Sequence, residues 1–172
     1  MKKNENFHEI QSMKHWWMWL ILILANTSLL YGCYRQLFLG MPFGNNPASD
    51  LWLIVITLIT LLITVGVGLL RLDTYIDKTG IFVRFLPFQK KYKIFSWSEI
   101  ESYEVRKYNP ILEFGGWGYR LTAKRKKAYN MYGKIGLQLK LLNGRVVLVG
   151  TQRGEELHEF LNKLHNKKEI NI

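Results

Sequence analysis

Two long apolar stretches dominate the first 70 residues, and beyond them the hydrophobic pattern shortens to alternation with a period of two. Trp16 to Tyr34 runs for 19 residues without a charge, and Leu51 to Leu70 runs for 20. A hydrocarbon core of ~30 Å is crossed by about 20 helical residues at about 1.5 Å rise each. Each stretch therefore predicts a membrane-spanning helix. A buried core helix is another meaning of such a run, but two of them carry more apolar surface than a small domain hides. A cleaved signal peptide is a third meaning. Lys2, Lys3 and Lys14 would suit its basic region, but Gly32-Cys33-Tyr34 is a poor match to a small-residue cleavage site. Between the runs lies Gly40-Met41-Pro42-Phe43-Gly44-Asn45-Asn46-Pro47, which is turn chemistry without helical period. The two helices are expected to form an antiparallel hairpin.

From Leu72 onward the pattern predicts strands. Leu72–Ile76, Ile81–Phe85, Lys91–Phe95 and Ser102–Arg106 alternate, with Asp77-Lys78-Thr79-Gly80 as a tight turn and Ser98 as a cap for one helical turn near Trp97. Tyr108 to Lys127 reads as irregular, and Ala128–Tyr132 as a further strand. Asn143-Gly144 between Gly136–Leu142 and Arg145–Val149 is a hairpin signal, because a tight turn there needs positive φ. Leu157, Phe160, Leu161 and Leu164 form one apolar stripe at helical spacing. Glu155 and Glu156 open that helix and Lys163, Lys167 and Lys168 close it, in the order that complements the helix dipole. Thr151 is its expected N-cap.

Charge adds orientation. The chain carries a formal +11, and from Arg71 onward there are 20 Lys/Arg against 10 Asp/Glu. Lys2, Lys3 and Lys14 precede the first span, Arg71, Lys78 and Arg84 follow the second, and the connecting loop has only Arg35 against Asp50. Basic flanks favour the cytoplasm, so both termini are expected inside. The expected organisation is a cytoplasmic tail (1–15), a first span (16–34), an external loop (35–50), a second span (51–70), a cytoplasmic domain (71–166) and a tail (167–172), in a cell membrane. Asn26, Thr27, Ser28, Thr57, Thr60 and Thr64 lie within the spans. They read as hydrogen bonds between helices rather than a transport path, since no ionisable residue sits deep in either span.

Candidate chemistry is sparse. The single cysteine, Cys33, excludes a disulfide framework and a cysteine metal cluster. His158 and His165 fall seven apart on the last helix, where a solvated face accounts for them better than a metal site. No phosphate-binding loop, nucleophile elbow or zincin pattern occurs, and no carboxylate pair suits acid/base work. No enzyme activity, cofactor or metal is expected. The one basic cluster that invites function is Lys124-Arg125-Lys126-Lys127, flanked by Arg120 and Lys134. Arg120, Lys124, Arg125, Lys126 and Lys127 are candidate contacts for anionic lipid headgroups, weighed against an ordinary solvated face. Nucleic acid is not an expected partner, because no binding motif is visible and a membrane tether restricts access.

Three stretches resemble a known family: Thr74-Tyr75-Ile76-Asp77-Lys78-Thr79-Gly80-Ile81; Ile94-Phe95-Ser96-Trp97-Ser98-Glu99-Ile100; and Gly116-Trp117-Gly118-Tyr119-Arg120 with Val149-Gly150-Thr151-Gln152. With the two spans, the chain resembles the bacterial pleckstrin-homology-like (PH-like) proteins that carry a two-helix N-terminal anchor. The resemblance implies a membrane α-helical hairpin plus an all-β/α+β PH-like domain, with about seven antiparallel strands in a curled sheet or roll capped by one C-terminal helix. It implies no ligand. Asp77–Gly80 is short and has one lysine, so inositol-lipid recognition is not carried over. The expected function is a membrane-anchored interaction or scaffold module working through an unidentified protein partner or anionic lipid. The alternative is an accessory subunit of a larger membrane complex that uses the hairpin.

Overall fold

The computed structural model of the protein describes residues 6–122 and 126–169, the last five by backbone alone. The chain forms two compact units. One spans Lys14–Leu69, and the other joins the residues before that segment to those after it.

In the first unit, α1 (Trp16–Cys33) continues through a π-helical turn at Tyr34–Phe38, four residues past the expected end, and α2 covers Asp50–Leu69. Both helices are long and apolar enough to cross a membrane, and most of their surface is unburied. Of the mid-helix polar residues, Asn26, Thr57 and Thr64 take part in contacts that join them. Asn26 donates through Nδ2 to the Leu22 carbonyl at 2.7 Å and to Thr64 Oγ1 at 2.8 Å. Cys33 Sγ lies 3.3 Å from Thr57 Oγ1. The hydroxyls of Thr57, Thr60 and Thr64 also donate to carbonyls four residues back, so none is left to an apolar solvent. Gln36 ties the connecting loop by donating to the Ala48 carbonyl and to Asp50 Oδ1. Gly32 leaves room for the Phe43 ring to fold back, since a Cβ there would lie 2.6 Å from a ring carbon and the ring would have to shift.

Among the described residues, the second unit holds nine strands in two sheets. Strands β1 (Phe7–Ser12), β2 (Arg71–Ile76), β3 (Gly80–Leu86) and β4 (Lys93–Ser96) form an antiparallel sheet in that order. The other sheet has the order β5-β8-β9-β7-β6, built from β5 (Ile100–Lys107), β6 (Gly118–Leu121), β7 (Lys126–Asn130), β8 (Ile135–Leu141) and β9 (Val146–Thr151). A short helix α3 (Pro110–Phe114) interrupts the second sheet, and α4 (Gly154–Glu169) ends the described chain. The period-two alternation has its expected consequence. Leu72, Ile76, Ile81, Val83 and Phe85 of one sheet meet Leu137, Leu139, Val147 and Val149 of the other in one core. The α4 stripe enters the same core through Leu157 and Leu161, both 2% exposed. Each fully buried side chain of this kind contributes about 1.5–3 kcal/mol.

Four expectations are corrected. The segment expected to be a cytoplasmic tail contains β1, paired with β2 from Phe7↔Ile76 to Ser12↔Arg71. Its inward positions are Phe7, Glu9 and Gln11. Two of those three are polar, so the strand has no apolar period. Among the described residues the domain has nine strands rather than about seven, and β7 and β9 run parallel, which no local pattern reveals. Thr151 does not cap α4; it is the last residue of β9, and its hydroxyl donates to Glu9. The helical turn at Trp97–Glu99 is capped by Ser96, which forms a reciprocal capping box with Glu99, rather than by Ser98.

Candidate functional site

Of the basic residues singled out from the sequence, Lys126 and Lys127 begin β7, the strand that lies parallel to β9 with Lys126↔Val146 and Lys127↔Val147 in register. That pairing brings Arg145, at the foot of the β8–β9 hairpin, beside them. The hairpin loop itself is Leu142–Gly144, closed by the Leu141 amide donating to the Arg145 carbonyl at 2.9 Å. Gly144 takes φ +75°, the left-handed conformation that such a loop demands.

Between this corner and β4 lies a cleft of about 280 Å³. Lys93, Lys127 and Arg145 line its rim, with Glu99 the carboxylate among its lining residues. Phe95, Tyr129, Leu141 and Val147 supply an apolar floor. An adjoining hollow of about 450 Å³ shares Lys127, Asn143 and Arg145 and adds Lys126, Leu121 and Thr122. Glu99 accepts from the Ser96 amide in the capping box, so part of its charge is already committed. Among the described residues, the ion pairs do not involve Lys93, Lys127 or Arg145. Burial pushes the Tyr129 phenol up, so the floor is neutral beneath a cationic rim. An arrangement of this kind attracts an anion with an apolar body.

Arg120 is not brought to this cleft. It lies on β6, and its Nε donates to the Trp117 carbonyl at 2.9 Å, closing the glycine-rich turn beneath it. Lys124 and Arg125 lie outside the described residues. Sequence reasoning missed Lys93 and Arg145. Arg145 stood next to a recognised turn, but its approach to Lys126 and Lys127 depends on parallel pairing across residues distant in the chain.

Two charge clusters lie away from the cleft, one on each sheet. Asp73, 3% exposed, accepts from Tyr92 Oη and Arg84 Nη2, each at 2.6 Å, and pairs with His8 Nε2 at 2.9 Å. Burial pushes the Asp73 carboxyl up, but the hydrogen bonds from Tyr92, Arg84 and His8 outweigh it and hold the carboxyl below its ordinary value. Burial and the same contact push the Tyr92 phenol up, keeping it the donor. On the second sheet, Arg106 holds Glu113 in a two-pronged pair, with Nη2–Oε2 at 2.6 Å, and also donates to Gln138. Hydrogen bonding to Arg106 is the main cause that lowers the Glu113 carboxyl. Both oxygens of each carboxylate have partners, and the clusters read as structural. Among the described residues no group of three or more His, Cys, Asp or Glu is placed to hold a metal ion.

The chain belongs to a family of unknown function (DUF6141), whose family model matches residues 2–164. No curated protein matches it.

Proposed function

We propose that the protein is a membrane-anchored, non-catalytic interaction module whose PH-like domain takes anionic groups, lipid headgroups or acidic protein segments, in its cationic cleft at the cytoplasmic face. The observation that carries this reading is the convergence of Lys93, Lys127 and Arg145 over an apolar floor. The hairpin serves as the anchor. Two polar pairs, Asn26 with Thr64 and Cys33 with Thr57, tie its helices to each other, which favours an anchor over the surface of an accessory subunit. A one-sided arrangement is supported by chain connectivity. β1 precedes the hairpin, β2 follows it, and the two pair in one sheet. A hairpin that spans a membrane between them must therefore return the chain to the side it left. The surplus of basic residues on both flanks agrees with that side being the cytoplasm.

The test is binding of a short-chain phosphatidylglycerol to the full-length protein in neutral detergent, with short-chain phosphatidylcholine as the comparison. Each basic side chain near an anionic headgroup is worth about 1 kcal/mol, so Lys127→Ala with Arg145→Ala should weaken binding by roughly tenfold or more. Equal affinity for the two lipids, with no effect of the substitutions on binding of an acidic peptide, would remove the basis for the reading.

A further inference from the structure

The strand register fixes which end of the first sheet faces the chain's exits. Ser12, Arg71 and Leu86 are cross-strand neighbours at one end. The chain enters α1 at Trp16 and leaves α2 at Leu69, so both connections to the apolar helices spring from that end. The β3–β4 loop, Pro87-Phe88-Gln89-Lys90-Lys91-Tyr92, grows from it too. The opposite end carries the β2–β3 turn at Asp77–Thr79.

The loop has an unusual make-up for a sheet connection. Phe88 is 74% exposed, the most exposed aromatic ring of the sheet unit among the described residues. Lys90 and Lys91 follow it, both exposed, and the loop contains no acid. A single exposed apolar side chain is ordinary on a protein surface. This one is held in place. The Gln89 amide donates to the Phe85 carbonyl at 2.8 Å, and the Phe88 ring stacks on Phe85 with centroids 6.2 Å apart. Where the loop ends, Tyr92 donates to Asp73, with the Arg84 guanidinium 4.4 Å from its ring centroid. The Asp73 cluster thus has a use as the clamp that fixes the loop's return. A held aromatic tip beside two lysines and no acid is matched chemically to an apolar boundary beneath anionic phosphates.

We infer that the Pro87–Tyr92 loop seats in the interface of an anionic bilayer, with Phe88 at the boundary of the acyl chains and Lys90 and Lys91 on the headgroup phosphates. The inference rests on the proposal that the hairpin spans the membrane, and it adds a second contact that orients the domain.

The experiment uses the full chain with Cys33→Ser, which removes the only cysteine and keeps a hydroxyl for Thr57. An environment-sensitive fluorophore is placed at Lys90→Cys, or at Lys78→Cys in the opposite turn. The protein is reconstituted into vesicles of phosphatidylglycerol and phosphatidylcholine containing spin-labelled lipid. Quenching at position 90 should exceed that at position 78 by at least about twofold, and Phe88→Ser should abolish the difference. Equal quenching at the two positions, in protein that stays in the vesicles through alkaline extraction, would overturn the loop contact and leave the anchor standing. Quenching at position 90 that survives Phe88→Ser would overturn it as well. Release of the protein by alkaline extraction would refute the anchor, and the inference with it.

Discussion

Glu9 should be one of the least replaceable residues in the sheet unit, although it lies in a stretch that looks like a polar leader. Its side chain points inward from β1, and the residue is 6% exposed. One carboxylate oxygen accepts from Thr151 Oγ1 at 2.6 Å and the other from the Gln152 amide at 2.8 Å. Next to it, Gln11 donates to the Gly150 carbonyl at 2.7 Å. Beyond it, Arg153 donates to the His8 carbonyl at 2.8 Å and pairs with Glu156. The β9–α4 junction is thus gripped by the N-terminal strand. Hydrogen bonds to a charged group contribute about 1.5–3 kcal/mol each, and a buried donor left without a partner carries its full desolvation cost. Glu9→Ala strands the Gln152 amide and the Thr151 hydroxyl together, so it should cost about 3 kcal/mol. Glu9→Gln should cost about 1 kcal/mol. Its amide oxygen can accept from Gln152, and its NH2 can donate to Thr151 Oγ1.

Hydrogen exchange on the full chain reads this locally. In Glu9→Ala, amides of residues 7–12 and 146–152 should exchange about 100-fold faster, while those of α2 stay unchanged. Glu9→Gln should fall between wild type and Glu9→Ala. Unchanged protection of 7–12 in Glu9→Ala would refute the clasp, and equal effects of Ala and Gln would show that charge rather than hydrogen bonding holds the strand.

Two further outcomes follow from the same geometry. The Asp73 carboxyl lies below its unfolded value, so the stability it confers is present above the unfolded carboxylate range and is lost as pH falls through the lower folded value. Asp73→Asn should therefore lower the melting temperature clearly at pH 6, and the gap from wild type should begin to narrow only below about pH 4; a gap independent of pH would contradict this. Gly80 faces β4 so closely that an added Cβ would lie 2.5 Å from the Phe95 carbonyl oxygen, so Gly80→Ala should cost about 1–3 kcal/mol in thermal unfolding, and a neutral effect would contradict the packing.

The parts of the fold that were legible in the sequence are those with local causes. The hairpin followed from two uncharged runs, α4 from one apolar stripe, and the β8–β9 hairpin from Asn143-Gly144. What escaped was either too short for a period or determined across distance. Helix α3 has clear end signals. Asn109 accepts from the Ile111 and Leu112 amides, Pro110 opens the helix, and Gly115 closes it at φ +71°. Five residues give no repeat, however, so the stretch read as irregular. Strand β1 was hidden because its inward face is polar, and that face became sensible only once Thr151, Gln152 and Gly150 were opposite it. Of the candidate cluster, Lys126 and Lys127 do border a cleft. Their companions, Lys93 from β4 and Arg145 from the β8–β9 connection, are not brought to them by sequence order.

The position of β1 also ties the apolar hairpin to the domain's folding. The first strand of the sheet is made before the hairpin and its partner strand after it, so the sheet cannot close until both helices have been synthesised. Closing that long excursion costs entropy, but the cost grows only with the logarithm of its length. The return is large and comes from a few residues. Phe7 is 3% exposed in the core with its ring 6.2 Å from Phe160, and Glu9 and Gln11 supply three hydrogen bonds to β9 and its junction with α4. A fragment beginning at Arg71 would lose all of these. It would leave β2 as an open edge and the Thr151 hydroxyl and Gln152 amide without their carboxylate, a combination that favours edge-to-edge association. Cutting at the end of α2 therefore divides the chain where its hydropathy changes, but not where its fold does. The hairpin is an insertion within the domain, and any work on the domain alone has to carry residues 6–13 across the gap.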